Sequence, residues 1–266
     1  MKLIPFLICF AVLPCAYAQP DSKALLSESI HNYELDWRAG MLWGYTQTDV
    51  TRADGTDEVD VSEVVPLEGT PYERLIRKDG RPLTAEERRK EDRKFEKASR
   101  ERKKESPEER AARIEKYESQ RSFLKDLPSA YDVSPMGDGM VDGRPAWILG
   151  VTPRADFVPT TPHGGMLKHI EGKLWIDKQD VQWAKAEAHV IDPISIGWIL
   201  ARIGEGAQIK LDMARVVDGL WMPERIDIDG TARVLMVHNK VLDEHVTFSG
   251  YHPHSAASTV THAAGR

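Results

Sequence analysis

The chain has almost no cysteine: 2 in 266 residues, Cys9 and Cys15, both close to its start. No disulfide framework and no cysteine-rich zinc module can be built from them. Long hydrophobic runs are also missing. The apolar stretch at 3–13 is interrupted by Pro5 and is shorter than the ~20 residues a spanning helix takes. There is no excess of positive charge, since 36 Lys and Arg face 42 Asp and Glu for a formal charge of −6. That balance argues against a general nucleic-acid binder, which carries a basic face. The sequence contains no HExxH, no P-loop, no GxGxxG and no Gly-x-Ser-x-Gly elbow. What remains is 41% hydrophobic and 29% charged, a globular composition. The length is compatible with one all-β domain, which can run to ~250 residues.

The first segment reads as an address. Lys2 gives a short positive start, 3–13 the apolar stretch, Pro14 a break, and Ala16-Tyr17-Ala18 a small-x-small pattern ahead of a cut before Gln19. A secretory signal over 1–18 predicts an exported, periplasmic protein that is soluble and monomeric. Lipid anchoring through Cys15 is the lesser alternative, because Pro14 stands where such sites want a small residue. Without 1–18 the chain has 35 basic and 42 acidic residues and no cysteine. Its stability then has to come from a sizeable core.

Residues 21–38 predict a helix, with Leu25, Leu26, Ile30, Tyr33 and Trp37 spaced near 3.6. β-Branched and aromatic residues follow, predicting strands over 42–51, 57–67 and 72–78, with Ala53-Asp54-Gly55-Thr56 as a hairpin turn. Further strands are predicted over 145–151, 167–176, 181–191, 207–217, 221–228 and 232–248, the last split or bent. Asp177-Lys178-Gln179-Asp180, Asp218-Gly219 and Asp229-Gly230 read as turns. Pro193 followed by Ile194, Ile196, Trp198, Ile199, Leu200 and Ile203 predicts a short apolar helix that ends at Gly204 and Gly206. Residues 253–266 are small and polar and read as a frayed tail. Sequential hairpins without βαβ alternation mean an antiparallel meander.

Residues 84–126 differ in kind: 15 Lys and Arg and 12 Asp and Glu stand in 43 residues, a net of +3. Thr84 with Glu87, and Ser106 with Glu109 behind Pro107, are capping boxes and start two helices. The first carries only Phe95 as a large apolar residue. The second has Ile114, Tyr117, Phe123 and Leu124 on a partial stripe and is expected to dock on the body. Interleaved opposite charges at i,i+3 and i,i+4 describe solvated helices. A looser alternative is contact with anionic headgroups.

An exported chain with a leading helix and an antiparallel meander resembles the periplasmic LolA-like lipoprotein-sorting proteins. The local similarity lies in Gly172-Lys173-Leu174-Trp175-Ile176-Asp177 with the strand from Val181 to Glu187, in Val217-Asp218-Gly219-Leu220-Trp221-Met222-Pro223, and in Phe248-Ser249-Gly250-Tyr251. The resemblance covers about residues 140–251, with 21–80 agreeing in order and type. It implies a mainly β (α+β) fold: a curved, antiparallel, incompletely closed β-barrel over 19–252, with the N-terminal helix and the short apolar helix as a lid on its open side. It also implies an apolar cavity for acyl chains, and so a lipid or an acylated protein as partner. The charged helical pair then reads as an insertion, because the sorting carriers are smaller. Regulators of the same fold that sense envelope lipids leave a partner-binding role as the alternative.

No catalytic constellation is visible. The nine His are scattered; His163, His252 and His254 read as solvated, since a zinc site needs further rigid ligands. Ser195 lacks the setting of a nucleophile, and Asp227 and Asp229 read as exposed edge or turn residues. No enzyme activity, metal, cofactor or nucleic-acid partner is expected, and an envelope hydrolase is the least favoured reading. Of the seven Trp, most fall in predicted strands. Strand alternation turns Ile170, Leu174, Ile176, Ile209, Leu211, Met213, Ile226 and Ile228 inward, with Trp43 from the first strand. Trp198 and Ile199 are expected to close over them from the lid. These eleven residues are the predicted ligand-binding set.

Overall fold

The computed structural model describes residues 20–53, 56–196, 201–216, 219–234 and 238–254. The predicted signal segment, most of the polar tail, and Trp198, Ile199 and Leu200 lie outside the described residues.

The leading helix is present as α1 (Ser22–Gly40), where Asp21 accepts a hydrogen bond from the Lys23 amide at the N-cap. It leads into β1 (Trp43–Ala53), β2 (Thr56–Leu67), β3 (Thr70–Lys78) and the short β4 (Arg81–Pro82). Both capping boxes form as the sequence predicts, starting α2 (Ala85–Lys103) and α3 (Pro107–Ser119). A 3-10 turn at Ser122–Asp126 and the one-turn α4 (Leu127–Ala130) return the chain to β5 (Tyr131–Val141). Then come β6 (Arg144–Pro153), β7 (Ile170–Asp177), β8 (Trp183–Val190), β9 (Ile194–Ile196), β10 (Ala201–Ile203), β11 (Gln208–Arg215), β12 (Trp221–Val234) and β13 (His238–Pro253).

The strands form one antiparallel sheet in the order β4-β3-β2-β1-β13-β12-β11-β8-β7-β6-β5, with β9 and β10 paired to each other and β10 to β12. The two ends, β4 and β5, are not hydrogen-bonded neighbours, so the sheet is open and does not close into a barrel. The sheet is the antiparallel meander that the sequential hairpins predict, and it is incompletely closed, as the resemblance implies.

Three readings of the sequence need correction. Where the sequence predicts an apolar helix from Ile194 to Ile203, the described residues Ile194–Ile196 and Ala201–Ile203 are paired strands instead, with Ile203 opposite Ile194 and Ala201 opposite Ile196. Their β-branched isoleucines suit a pleated surface better than a helix. Asp229-Gly230 is not a turn. Both residues lie inside β12, with Asp229 opposite Gln208 on one side and Asp243 on the other. Gly230 is there for closeness: a Cβ on it would stand 2.6 Å from Ala207 Cβ. Finally, β5 was missed because Ser134, Pro135, Gly137 and Gly139 carry little strand propensity. An edge strand tolerates them, and the register shifts between Pro135 and Gly137.

One face of the sheet carries α1. Leu25, Leu26, Ile30 and Tyr33 are buried there against Leu149, Leu174, Ile176, Trp183, Met213 and Trp221, with Leu124 from the 3-10 turn. Tyr33 stacks on Trp183 at 4.4 Å, and the Trp183 indole donates to Ser29 Oγ, which is fully buried. Polar groups fix the other end of the helix: Asp36 accepts from Gln182 Nε2 at 2.6 Å and from the Trp221 amide at 3.0 Å. Trp37 stacks on Tyr117 of α3, and the Arg121 guanidinium lies 4.8 Å from both the Tyr33 and Trp37 rings. The second member of the charged pair thus docks on the body, as its apolar stripe predicts.

Candidate functional site

Register decides which side chains share the α1 face. Leu149 pairs with Leu174, Leu174 with Ala186, Ala186 with Leu211, Leu211 with Ile226, and Ile226 with Val246. The next row runs Gly172, Ala188, Ile209, Ile228 and Glu244. Directly paired residues of an antiparallel sheet point to the same side, so these rows form a single surface.

The eleven predicted residues divide on this surface. Leu174, Ile176 and Met213 are closed core under α1, with Ile176 at 0% exposure. Ile170 is buried in a second core with Val190, Ala207 and Ile194 of β9, joined by Ile203 of β10. Between the two cores Ile209, Leu211, Ile226 and Ile228 are half-buried, together with Ala186, Ala188 and Val246. Leu211 and Ala186 border the α1 core, and Ala188 borders the β9–β10 core. The result is an aliphatic strip from β8 to β13, about 14 Å wide at the usual strand spacing. Trp43 stands apart at the start of β1, opposite Pro253, about 20 Å along the strand from Asp49 at the usual rise. The aromatic that β1 brings to this face is Tyr45, with its ring 5.9 Å from Phe248 and 5.3 Å from Tyr251. Trp198 and Ile199 lie outside the described residues.

Beyond Val246 the strip turns acidic. Asp49 is opposite Val246 on one side and Asp60 on the other, and Glu244 holds the next position of β13 on this face. Glu73 of β3 accepts from Ser62 Oγ. Burial, aided by Glu73, Asp60 and Glu244, raises the Asp49 pKa against the hydrogen bond from Gln47. Burial also pushes the Tyr45 phenol up to about 12. The surface therefore joins a broad apolar part to a rim that repels anions.

The opposite face holds a cluster that sequence reasoning missed. His245 places Nδ1 2.6 Å from Asp227 Oδ1 and Nε2 2.8 Å from Asp243 Oδ1. Asp227, predicted to be exposed, is buried and also accepts from Arg225 Nε, while Asp243 meets Arg52. Ligand atoms of Asp229, Asp243 and His245 come within 4.8 Å of one another. Both ring nitrogens already face carboxylates, and a guanidinium sits at each of those two carboxylates, so the arrangement is a ladder of polar contacts across β12, β13 and β1. The signal was present as Asp227 and Asp229 on one strand and Asp243 and His245 on another, but only the β12–β13 register joins them. The remaining candidates stay separate: His163 and His252 are exposed, and Ser195 lies in β9. Among the described residues no helix is long and apolar enough to cross a membrane.

No protein-family model matches the chain, and no curated protein matches it. Among solved structures it is similar to a LolA superfamily protein from Nitrosomonas europaea, at 10% identity and a TM-score of 0.37 over 88% of this chain and 94% of that one. It is also similar to a putative outer membrane lipoprotein-sorting protein domain from Vibrio parahaemolyticus, at 9% identity and a TM-score of 0.37 over 88% and 95%. A third is a DUF1329 family protein from Desulfovibrio piger, at 11% identity and a TM-score of 0.36 over 89% and 95%. Likeness at this level carries no argument about ligand or partner, and the functional reading rests on the geometry.

Proposed function

We propose that the protein is an exported carrier or sensor of the cell envelope that binds an acyl chain, free or attached to a protein, on the aliphatic strip. The observation that carries this is the half-buried set Ile209, Leu211, Ile226, Ile228 and Val246, left between two closed cores on one face of an open sheet. A purely structural face would be either covered or polar; this one is aliphatic and accessible, which suits a lipid tail. The acidic rim at Asp49 and Glu244 favours a ligand whose head is not anionic. The signal segment at 1–18 supports an envelope location, and the helices at 84–126 offer a surface for headgroups.

The test is the binding of a fluorescent lipid with an uncharged head to wild type, Leu211→Glu and Ile226→Glu, with folding confirmed by circular dichroism. A carboxylate in the strip opposes an acyl chain, because desolvating an unpaired charge is costly. Binding should fall at least tenfold in both variants. Equal binding by all three proteins would reject the strip as the site. Mass spectrometry of an organic-solvent extract of the purified protein would identify a lipid carried from the cell.

A further inference from the structure

The charges of α2 are sorted. By sequence its acids and bases interleave. In the structure Glu87, Glu91 and Asp92 turn to the body and are partly covered, and Asp92 pairs with Arg74 of β3 while Glu87 pairs with Arg81 of β4. Phe95 packs edge-on against Tyr72, 5.4 Å between centroids, on that same side. At 100° per residue, Arg89, Lys90, Arg93, Lys97, Arg100 and Lys104 then fall within a sector of about 100° that faces away from the sheet, and all six are exposed. From Arg89 to Lys104 the stripe runs about 22 Å at the helical rise. Only Glu86, in the first turn, shares its centre. Lys97 and Arg100 meet Glu101 and Glu96 loosely, at 3.9 and 3.7 Å, and the other four bases have no ion pair among the described residues. No residue of α2 is buried, so filling a core does not require this outward row of bases.

We propose that the outward face of α2 docks the protein on a bilayer surface rich in anionic phospholipid headgroups. This rests on the reading of the protein as an acyl-chain binder in one respect only, that it names the surface such a binder would visit. The whole chain has a formal charge of −6, so a flat negative surface repels the body and attracts this stripe, which fixes the orientation of approach. A straight, one-sided row of flexible bases touches a plane along its full length. It has no aromatic side chain for stacking on bases, which sets it apart from surfaces that bind single-stranded nucleic acid.

The experiment is sedimentation of the purified protein with vesicles of phosphatidylcholine alone and of phosphatidylcholine with phosphatidylglycerol, at low and moderate salt. Wild type should bind the anionic vesicles, be released as the Debye length shortens, and ignore the neutral ones. The variant carrying Arg89→Gln, Arg93→Gln, Lys97→Gln and Lys104→Gln should lose binding by about 100- to 1000-fold, at roughly fivefold per charge. The variant carrying Glu86→Gln and Glu96→Gln keeps every base and should bind more tightly, a gain that misfolding would not produce. Ile226→Glu should leave vesicle binding unchanged while lowering lipid uptake, which separates this proposal from the carrier reading. Failure of wild type to bind anionic vesicles at low salt would overturn the proposal, as would equal binding by the Gln variant. Binding to heparin or DNA without binding to anionic vesicles would overturn it in favour of a soluble polyanion.

Discussion

Asp126 is a carboxylate at 1% exposure with four hydrogen-bond donors aimed at it. Thr161 gives its amide at 3.0 Å and its hydroxyl at 2.8 Å; Thr160 gives its amide at 3.1 Å and also its hydroxyl. The side chain thereby pins the loop after β6 to the chain entering α4. Burial alone would raise its pKa, but the four bonds overcome that and hold it below the usual carboxylate value. Hydrogen bonds to a charged acceptor are worth about 1.5–3 kcal/mol each, and they do not add fully. Thr160 is exposed, so part of its loss would be restored by water. Asp126→Ala should therefore cost about 3–5 kcal/mol. Asp126→Asn keeps the shape but turns an amide donor toward donors, and should cost about 2 kcal/mol. Because the folded-state pKa is lowered, the contribution is complete above about 3.9, the value of an unfolded Asp. It is lost as pH falls through the lower folded value. Urea unfolding followed by circular dichroism at pH 7 and pH 3 measures both effects. An Asp126→Asn protein within about 0.5 kcal/mol of wild type at pH 7 would refute the reasoning.

Gly230→Asn, harmless in a turn, should destabilise by about 1–3 kcal/mol through overpacking on Ala207, and an unchanged urea midpoint would restore the turn reading. Replacing 84–126 with a Gly-Ser linker should cost at least about 2–5 kcal/mol, because the segment contains Leu124, 2% exposed in the α1 core; a thermal melt matching wild type would make the whole segment dispensable. Asp49→Asn should stabilise the protein near neutral pH. The raised pKa of Asp49 means that its ionised form disfavours folding, so stability falls as pH rises from the unfolded to the folded value; identical pH–stability curves for the two proteins would exclude this.

Local chemistry made part of this protein legible from its sequence alone. The α1 stripe, the two capping boxes, the alternating strands and the turn at Asp177 are signals a few residues long, and each stabilises its element wherever that element packs. Ile170, Leu174, Ile176, Ile209, Leu211, Met213, Ile226 and Ile228 were assigned to one face because strand alternation is a property of the backbone. Alternation does not say which of these residues another element will cover. That depended on where α1 and the β9–β10 pair settle, and it separated closed core at Ile176 and Met213 from accessible strip at Ile209 and Ile226. The same limit hid the His245 cluster and the role of Gly230, since both exist only through the register of β12 with its neighbours. It also hid the charge sorting of α2: the order of acids and bases along the helix is local, but which side faces solvent was decided by where the helix lies against Arg74 and Tyr72 of β3 and Arg81 of β4. Contacts between distant segments carry no short-range signal, because loop closure and side-chain fit are settled together only as the sheet assembles.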